Sequence, residues 1–240
     1  MTSLPNFSIS LRVLSRLLTY PDRAVLDDLD DMRAALQAER ALAPARKNEL
    51  YSLIGHLQTG SPLEGEARYV ELFDRGRSTS LHLFEHVHGD SRDRGPAMID
   101  LLQTYEKADL LLAPGELPDY LPALLEFVST QPSAEARSFL GEIAHLLTLI
   151  FSALQKRGSP YASVIGALLE LAGEEAQPVA IAPDLPIDVS WEEPEVFDGC
   201  PSPGSKDVVP SEQPQPIRRM DTKVSHQNTK VPPHSPGVSP

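Results

Sequence analysis

Through its first 173 residues the chain repeats apolar side chains at intervals of three and four, a period that specifies helices. Leu11, Leu14 and Leu18 share one face of a segment that must stop before Pro21, since the residue preceding a proline is pushed out of the helical region. Asp22 is placed to cap a second helix with Val25, Leu29, Met32 and Leu36 on one side. Pro44 suits the first turn of a third, with Leu50, Leu53, Ile54 and Leu57 facing inward. A loop at residues 59–62 leads to a fourth helix, ending near Phe73. Further helices carry Met98, Leu101, Leu102 and Tyr105, then Leu121, Leu124, Leu125 and Val128. Ser133 begins the longest, with Phe139, Ile143, Leu146, Leu147, Ile150 and Leu154, and a last one from Pro160 to Ala172 stops at Gly173. No alternating Val/Ile/Thr-rich segments and no fixed repeat interrupt this series of about eight or nine helices. The expected fold is all-α, a single-domain helical bundle over residues 1–173.

After Gly173 the period dissolves. Of 23 prolines, 13 lie beyond that point, among serines and acids with few large apolar residues. Such a composition buries too little surface to offset its ordering entropy, so residues 174–240 are expected to form a disordered, proline-rich, acidic tail. Trp191, Val196 and Phe197 are the one apolar patch in it that is suited to touch the domain.

Charge and cysteine use exclude several functions. The net charge is −13, which argues against nucleic acid as the main partner and favours basic ones. Cys200 is the single cysteine, so disulfides within the chain and cysteine-based zinc or iron–sulfur sites are excluded. Arg12 and Arg16 interrupt the apolar start, unlike a secretory signal, and the apolar run at residues 139–151 contains Glu142 and His145. A soluble, cytoplasmic protein without membrane insertion is expected.

The unusual chemistry is concentrated in residues 71–95, ELFDRGRSTSLHLFEHVHGDSRDRG, with three histidines, four arginines and five carboxylates. His82 and His86 stand four apart, sharing a face if helical, with Glu85 beside them and His88 and Asp90 just beyond. A metal-dependent hydrolase using His82, His86 and His88 is one reading. The spacing lacks the glutamate adjacent to the first histidine that zinc peptidases require, and no nucleophile elbow or phosphate-cradling glycine loop is present. No metal site, cofactor or catalytic residue is therefore assigned. A binding reading uses the same residues more fully. Two charged turns, Asp74-Arg75-Gly76-Arg77 and Arg92-Asp93-Arg94, bracket a short helix with Leu81, Leu83, Phe84 and Val87. Together they describe a groove with an apolar floor and a carboxylate edge, suited to a basic amphipathic helix. Gly76 is expected to supply a turn that other residues resist. The candidate binding residues are Asp74, Arg75, Arg77, His82, Glu85, His86, His88, Asp90, Arg92, Asp93 and Arg94. The same arginines and carboxylates also suit a structural ion-pair network fixing the turns, and the two readings are compatible.

Residues 69–106, YVELFDRGRSTSLHLFEHVHGDSRDRGPAMIDLLQTYE, closely resemble the NarJ group, the assembly chaperones of respiratory nitrate reductase within the wider TorD-like family. VLSRLLTYPD, ELPDYLPALLEF and WEEPEV resemble it too, so the likeness covers residues 10–198, and nothing beyond Gly199 shares it. The resemblance implies a TorD-like helical bundle without catalytic activity. It implies binding to the N-terminal segment of the apo catalytic (alpha) subunit, which is kept competent for molybdenum cofactor insertion while its membrane attachment is delayed. Such chaperones are absent from the finished enzyme, and molybdenum cofactor delivery proteins are further expected partners. On that basis the histidines would tune affinity with pH.

The composition of the tail yields a direct test. Truncation after Gly199 is expected to leave helix content and melting temperature unchanged in circular dichroism. A cut after Gly173 is expected to leave both nearly unchanged as well, and to differ from the Gly199 cut if Trp191, Val196 and Phe197 dock. A large loss of stability from the Gly199 cut would refute the disordered reading.

Overall fold

The computed structural model describes residues 6–88 and 91–181. Eleven α-helices follow one another through them, with no strand among the described residues. The first, α1 (Ser8–Leu18), buries Leu11, Leu14 and Leu18 as their spacing requires. Ser10 and Ser15 are buried as well, because a second layer closes over the helix: Ser15 donates to the Pro122 carbonyl at 2.8 Å. Asp22 caps α2 (Arg23–Asp27) by accepting the Val25 amide at 2.9 Å. The expected single helix breaks at Asp28, whose carboxylate pairs with Arg16 at 3.2 Å, and α3 (Leu29–Ala38) resumes on the same face. Val25, Leu29, Met32 and Leu36 are all buried, so the apolar stripe survives the break. Pro44 opens α4 (Pro44–Thr59), where a missing N–H is harmless. Then α5 (Pro62–Tyr69) runs into a π-helical turn (Val70–Asp74) and a 3-10 turn (Arg77–Thr79), followed by the short α6 (Leu83–Val87) and by α7 (Arg94–Lys107).

The remaining helices, α8 (Leu121–Thr130), α9 (Ser133–Glu142), α10 (Ala144–Lys156) and α11 (Ala162–Ala172), complete the core. Every residue of α11 except Glu170 is buried, and a helix apolar on all sides belongs inside. It packs against α10, α9, α4 and α1, while α1 lies along α8. Glu170 fastens the layer by accepting the Ala43 amide at 2.6 Å and pairing with Arg46 at 3.5 Å. The helix ends where Gly173 takes a φ of 90°, a conformation that costs L side chains but not glycine. Beyond it the Val179 amide donates to Ser152 Oγ at 2.9 Å, and Ala176 packs on the core. The described helices belong to one unit. The expected tail disorder and the Trp191, Val196 and Phe197 patch lie outside the described residues.

One other expectation needs correction. Residues 133–154 do not form one long helix: it breaks at Ile143 into α9 and α10 with a 65° bend. Gly141 weakens the local helix, and packing of both halves on α11 overrides the continuous period. With the interruption at Asp28, this raises the helix number to eleven among the described residues. On α7, expected to carry Met98, Leu101, Leu102 and Tyr105, only Tyr105 is fully buried, with Leu101 partly buried against the core. Tyr105 anchors the helix, donating to the Pro118 carbonyl at 2.7 Å with its ring 5.1 Å from Phe127. No single helix among the described residues is long and apolar enough to cross a membrane. The pair α9 and α10 meets that length and composition only across its bend.

The α1 packing is open to a stability test. Leu14→Ala is expected to cost about 2–5 kcal/mol in urea unfolding, because the side chain is fully buried. Ile9→Ala, on the exposed side of the same helix, is expected to stay within about 0.5 kcal/mol. Equal effects would mean that α1 presents a different face to the core.

Candidate functional site

The charged stretch is placed by backbone geometry before any side chain acts. The π-helical turn closes with the Arg75 amide on the Val70 carbonyl at 3.2 Å, and Arg75 ends it. Gly76 has an ordinary φ of −99°, so it is not needed for a special turn. It is needed for space: a Cβ there would collide with the Thr79 hydroxyl and the Arg157 guanidinium. Further on, His82 and Tyr120 form an isolated antiparallel bridge. The Leu121 amide donates to the Leu81 carbonyl at 2.8 Å and the Leu83 amide to the Asp119 carbonyl at 3.0 Å. This short clip ties the stretch to the start of α8.

His82 therefore precedes α6 in extended conformation, and the expected common helical face with His86 does not form. The imidazole of His86 turns away, its Nε2 donating to the Ser80 carbonyl at 2.9 Å. His88 packs edge-on against Phe84, with centroids 5.4 Å apart. No group of three or more His, Cys, Asp or Glu among the described residues could hold a metal ion. The hydrolase alternative thus loses its constellation; Asp90 lies outside the described residues.

The carboxylate that organises the stretch is Asp119, which has no exposed surface. It accepts from His82 Nδ1 at 3.3 Å and from the Phe84 amide at 3.2 Å, and Arg94 approaches it at 3.6 Å. Arg94 also reaches Glu85 at 3.8 Å. Three of the predicted residues, His82, Glu85 and Arg94, thereby join one network, and its centre lies outside the stretch. The hydrogen bond to Asp119 holds the His82 pKa above the usual histidine value, with burial opposing it.

Asp74 and His82 come together at a groove of about 410 Å³. Tyr20, Tyr69, Phe73, Leu81, Leu117 and Tyr120 supply its apolar surface, and Glu116 joins Asp74 as a second carboxylate. Tyr69 donates to the Leu18 carbonyl at 2.6 Å and lies 3.2 Å from the Tyr120 hydroxyl. Burial pushes the pKa of both tyrosines up, so these walls stay neutral. An apolar cleft with two acids can seat an apolar side chain beside a basic one. The other candidates stand apart from it. Arg75 pairs on the surface with Glu71 at 3.2 Å, Arg77 and Arg92 are exposed, and Asp93 accepts from the Ser91 hydroxyl at 3.2 Å. Tyr20, Tyr69, Glu116 and Tyr120 were not predicted, although two of them lie in the ELPDYLP segment, whose buried acid and paired prolines mark a built turn.

Comparison with known proteins follows the same outline. Residues 35–165 match the family described as nitrate reductase delta subunit. The chain is 43% identical over 198 residues to the nitrate reductase molybdenum cofactor assembly chaperone NarJ of Escherichia coli (strain K12), covering 78% of this chain and 84% of that one. It is 37% identical over 196 residues to the protein described as "Probable nitrate reductase molybdenum cofactor assembly chaperone NarW" of the same strain, covering 78% and 82%. A solved structure from Archaeoglobus fulgidus, described as a redox enzyme maturation protein, superposes with a TM-score of 0.52 at 18% identity. That match covers 70% of this chain and 94% of the other, and it shows a shared fold.

The His82–Asp119 bond has a pH signature. A histidine whose folded pKa lies above its unfolded value of about 6.5 stabilises fully below that value and loses the contribution as pH rises through the folded pKa. The stability of wild type over His82→Asn is therefore expected to be largest near pH 5.5 and to shrink by pH 8.5 in urea titrations. A difference that is flat or grows with pH would contradict the assigned bond.

Proposed function

Because the chain belongs to the nitrate reductase delta subunit family, we propose that it is a molybdenum cofactor assembly chaperone of nitrate reductase. The observation that carries this reading is its 43% identity to NarJ of E. coli, over 84% of that protein. In finer terms, the chain binds the apo catalytic subunit through its N-terminal segment and keeps it competent for cofactor insertion. It delays membrane attachment and is absent from the finished enzyme. Its place of action is the cytoplasm, and cofactor delivery proteins are further partners.

The binding face is the groove between Asp74 and Glu116. A helical segment with an apolar residue next to a lysine or arginine would bury the first among the tyrosines and offer the second to the carboxylates. Since no metal or nucleophile is required, binding and release are all that this geometry needs to supply. The network of Glu85, Arg94 and Asp119 plays the structural part by fixing the wall that carries His82 and Tyr120.

Titration of the full chain with the N-terminal peptide of the reductase catalytic subunit tests the reading. Asp74→Ala and Glu116→Ala are each expected to weaken binding roughly tenfold to a hundredfold at low salt, with unchanged melting. Glu85→Ala is expected to act mainly on stability. Unchanged affinity in both groove variants would place the peptide elsewhere.

A further inference from the structure

A second cavity, of about 570 Å³, opens between α4, α5 and the turn that precedes α11. Tyr161 lines it and packs edge-on against Phe73, which lines the groove, so the two spaces flank one aromatic cluster. The volume falls in the range of small-molecule sites, about 300–1,000 Å³. Leu26, Leu57, Leu72 and the ring of Tyr161 make the walls apolar, while Pro62 and Pro160 edge it with chain whose φ is already fixed.

Its charge differs in sign from that of the groove. Arg68 and Arg157 both line the cavity, and its one carboxylate, Glu71, is already engaged by Arg75 at 3.2 Å. Arg68 lies 3.2 Å from His56 and holds Glu64 at 3.4 Å in an exposed pair. Such a surface pair contributes little and can be exchanged for a ligand's anion without much loss. The π-helical turn contributes too, since Leu72 and Glu71 belong to it, and π-turns recur at functional sites.

We propose that this cavity is a second binding site, for a compact amphipathic anion: a ring-sized apolar body bearing one sulfonate-, carboxylate- or phosphate-like group. The apolar body occupies the space between Leu57, Leu72 and Tyr161, and the anion replaces Glu64 at Arg68. The site is separate from the peptide groove and does not depend on the chaperone reading.

Two fluorescent probes test it on the full chain: 8-anilinonaphthalene-1-sulfonate and its uncharged counterpart N-phenyl-1-naphthylamine. The expected result is one saturable site for each. Gly65 lines the cavity, and a Cβ on it would meet nothing within 4 Å, so Gly65→Phe is the first substitution to fill the space. Ala67→Phe fills it from a neighbouring exposed position and serves if the first variant misfolds by circular dichroism. Either is expected to weaken both probes at least about tenfold, while Arg68→Gln weakens the sulfonate about tenfold and spares the neutral probe. The reductase peptide should bind the filled variants as it binds wild type. Probe affinities unchanged by cavity filling, or equal losses of both probes in Arg68→Gln, would overturn the proposal. So would a parallel loss of peptide binding, because the cavity would then be part of the groove.

Discussion

Asp119 is a carboxylate sealed from solvent, and the placement of the charged stretch depends on how that charge is satisfied. A buried carboxylate is costly unless it is paired and hydrogen-bonded, so its partners cannot drift. Two of them are a histidine and an arginine that lie 37 and 25 positions upstream, and the third is the backbone amide of Phe84. Together with the His82–Tyr120 bridge they fix the entry of α6 and the start of α7 against the segment that opens α8. Since α8 is the helix along which α1 lies, this acid joins the buried Leu81 and Leu83 in tying the stretch to the core.

The same clip produces the groove. Asp119 turns into the network while the neighbouring Tyr120 lines the open cleft, at the end of a turn closed by the Tyr120 amide on the Leu117 carbonyl at 3.1 Å. His82 belongs to both, bonding Asp119 through Nδ1 and stacking its ring 5.3 Å from Tyr120. Local integrity and the shape of the groove are therefore not independent. Substitutions at Asp119 will move a wall of the groove, whereas Asp74 contributes charge at its edge, and Glu116 also accepts the Ala113 amide at 3.3 Å.

Much of this fold was legible from spacing alone because its signals are local. Asp22, Pro44 and Gly173 act within one turn of themselves, and the stripe of Val25, Leu29, Met32 and Leu36 needs no knowledge of its neighbours. The interruptions at Asp28 and Ile143 were not legible, since both are resolved by tertiary packing that a helical period cannot register. The groove divides in the same way. Asp74 and His82 were among the candidates because they sit in a stretch of unusual composition. Asp119, Tyr20, Tyr69 and Glu116 were not, because their placement depends on partners distant in sequence. The paired histidines misled for a related reason: a spacing of four implies a shared face only inside a helix, and the bridge to Tyr120 holds His82 just outside one.

The arginines of the stretch show why charge density was an imperfect guide. Arg75 and Glu71, both largely exposed, form a pair of the kind that contributes a few tenths of a kcal/mol, about 0.3–0.5 on a helix surface. Arg94 is chemically the same residue, but it reaches a fully buried acid, and deleting it would leave that acid with fewer partners in a medium of low dielectric. Position relative to the core, rather than the number of charges, separates the two. By the same argument the acids most available to a ligand are the exposed ones, and among the described residues Glu116 is held only by the Ala113 amide at 3.3 Å. Asp74 and Glu116 stand at the groove with tyrosines between them, where an incoming cation can be partly desolvated as it pairs. A charge pair that a bound ligand partly buries is stronger than an exposed one such as Arg75 with Glu71.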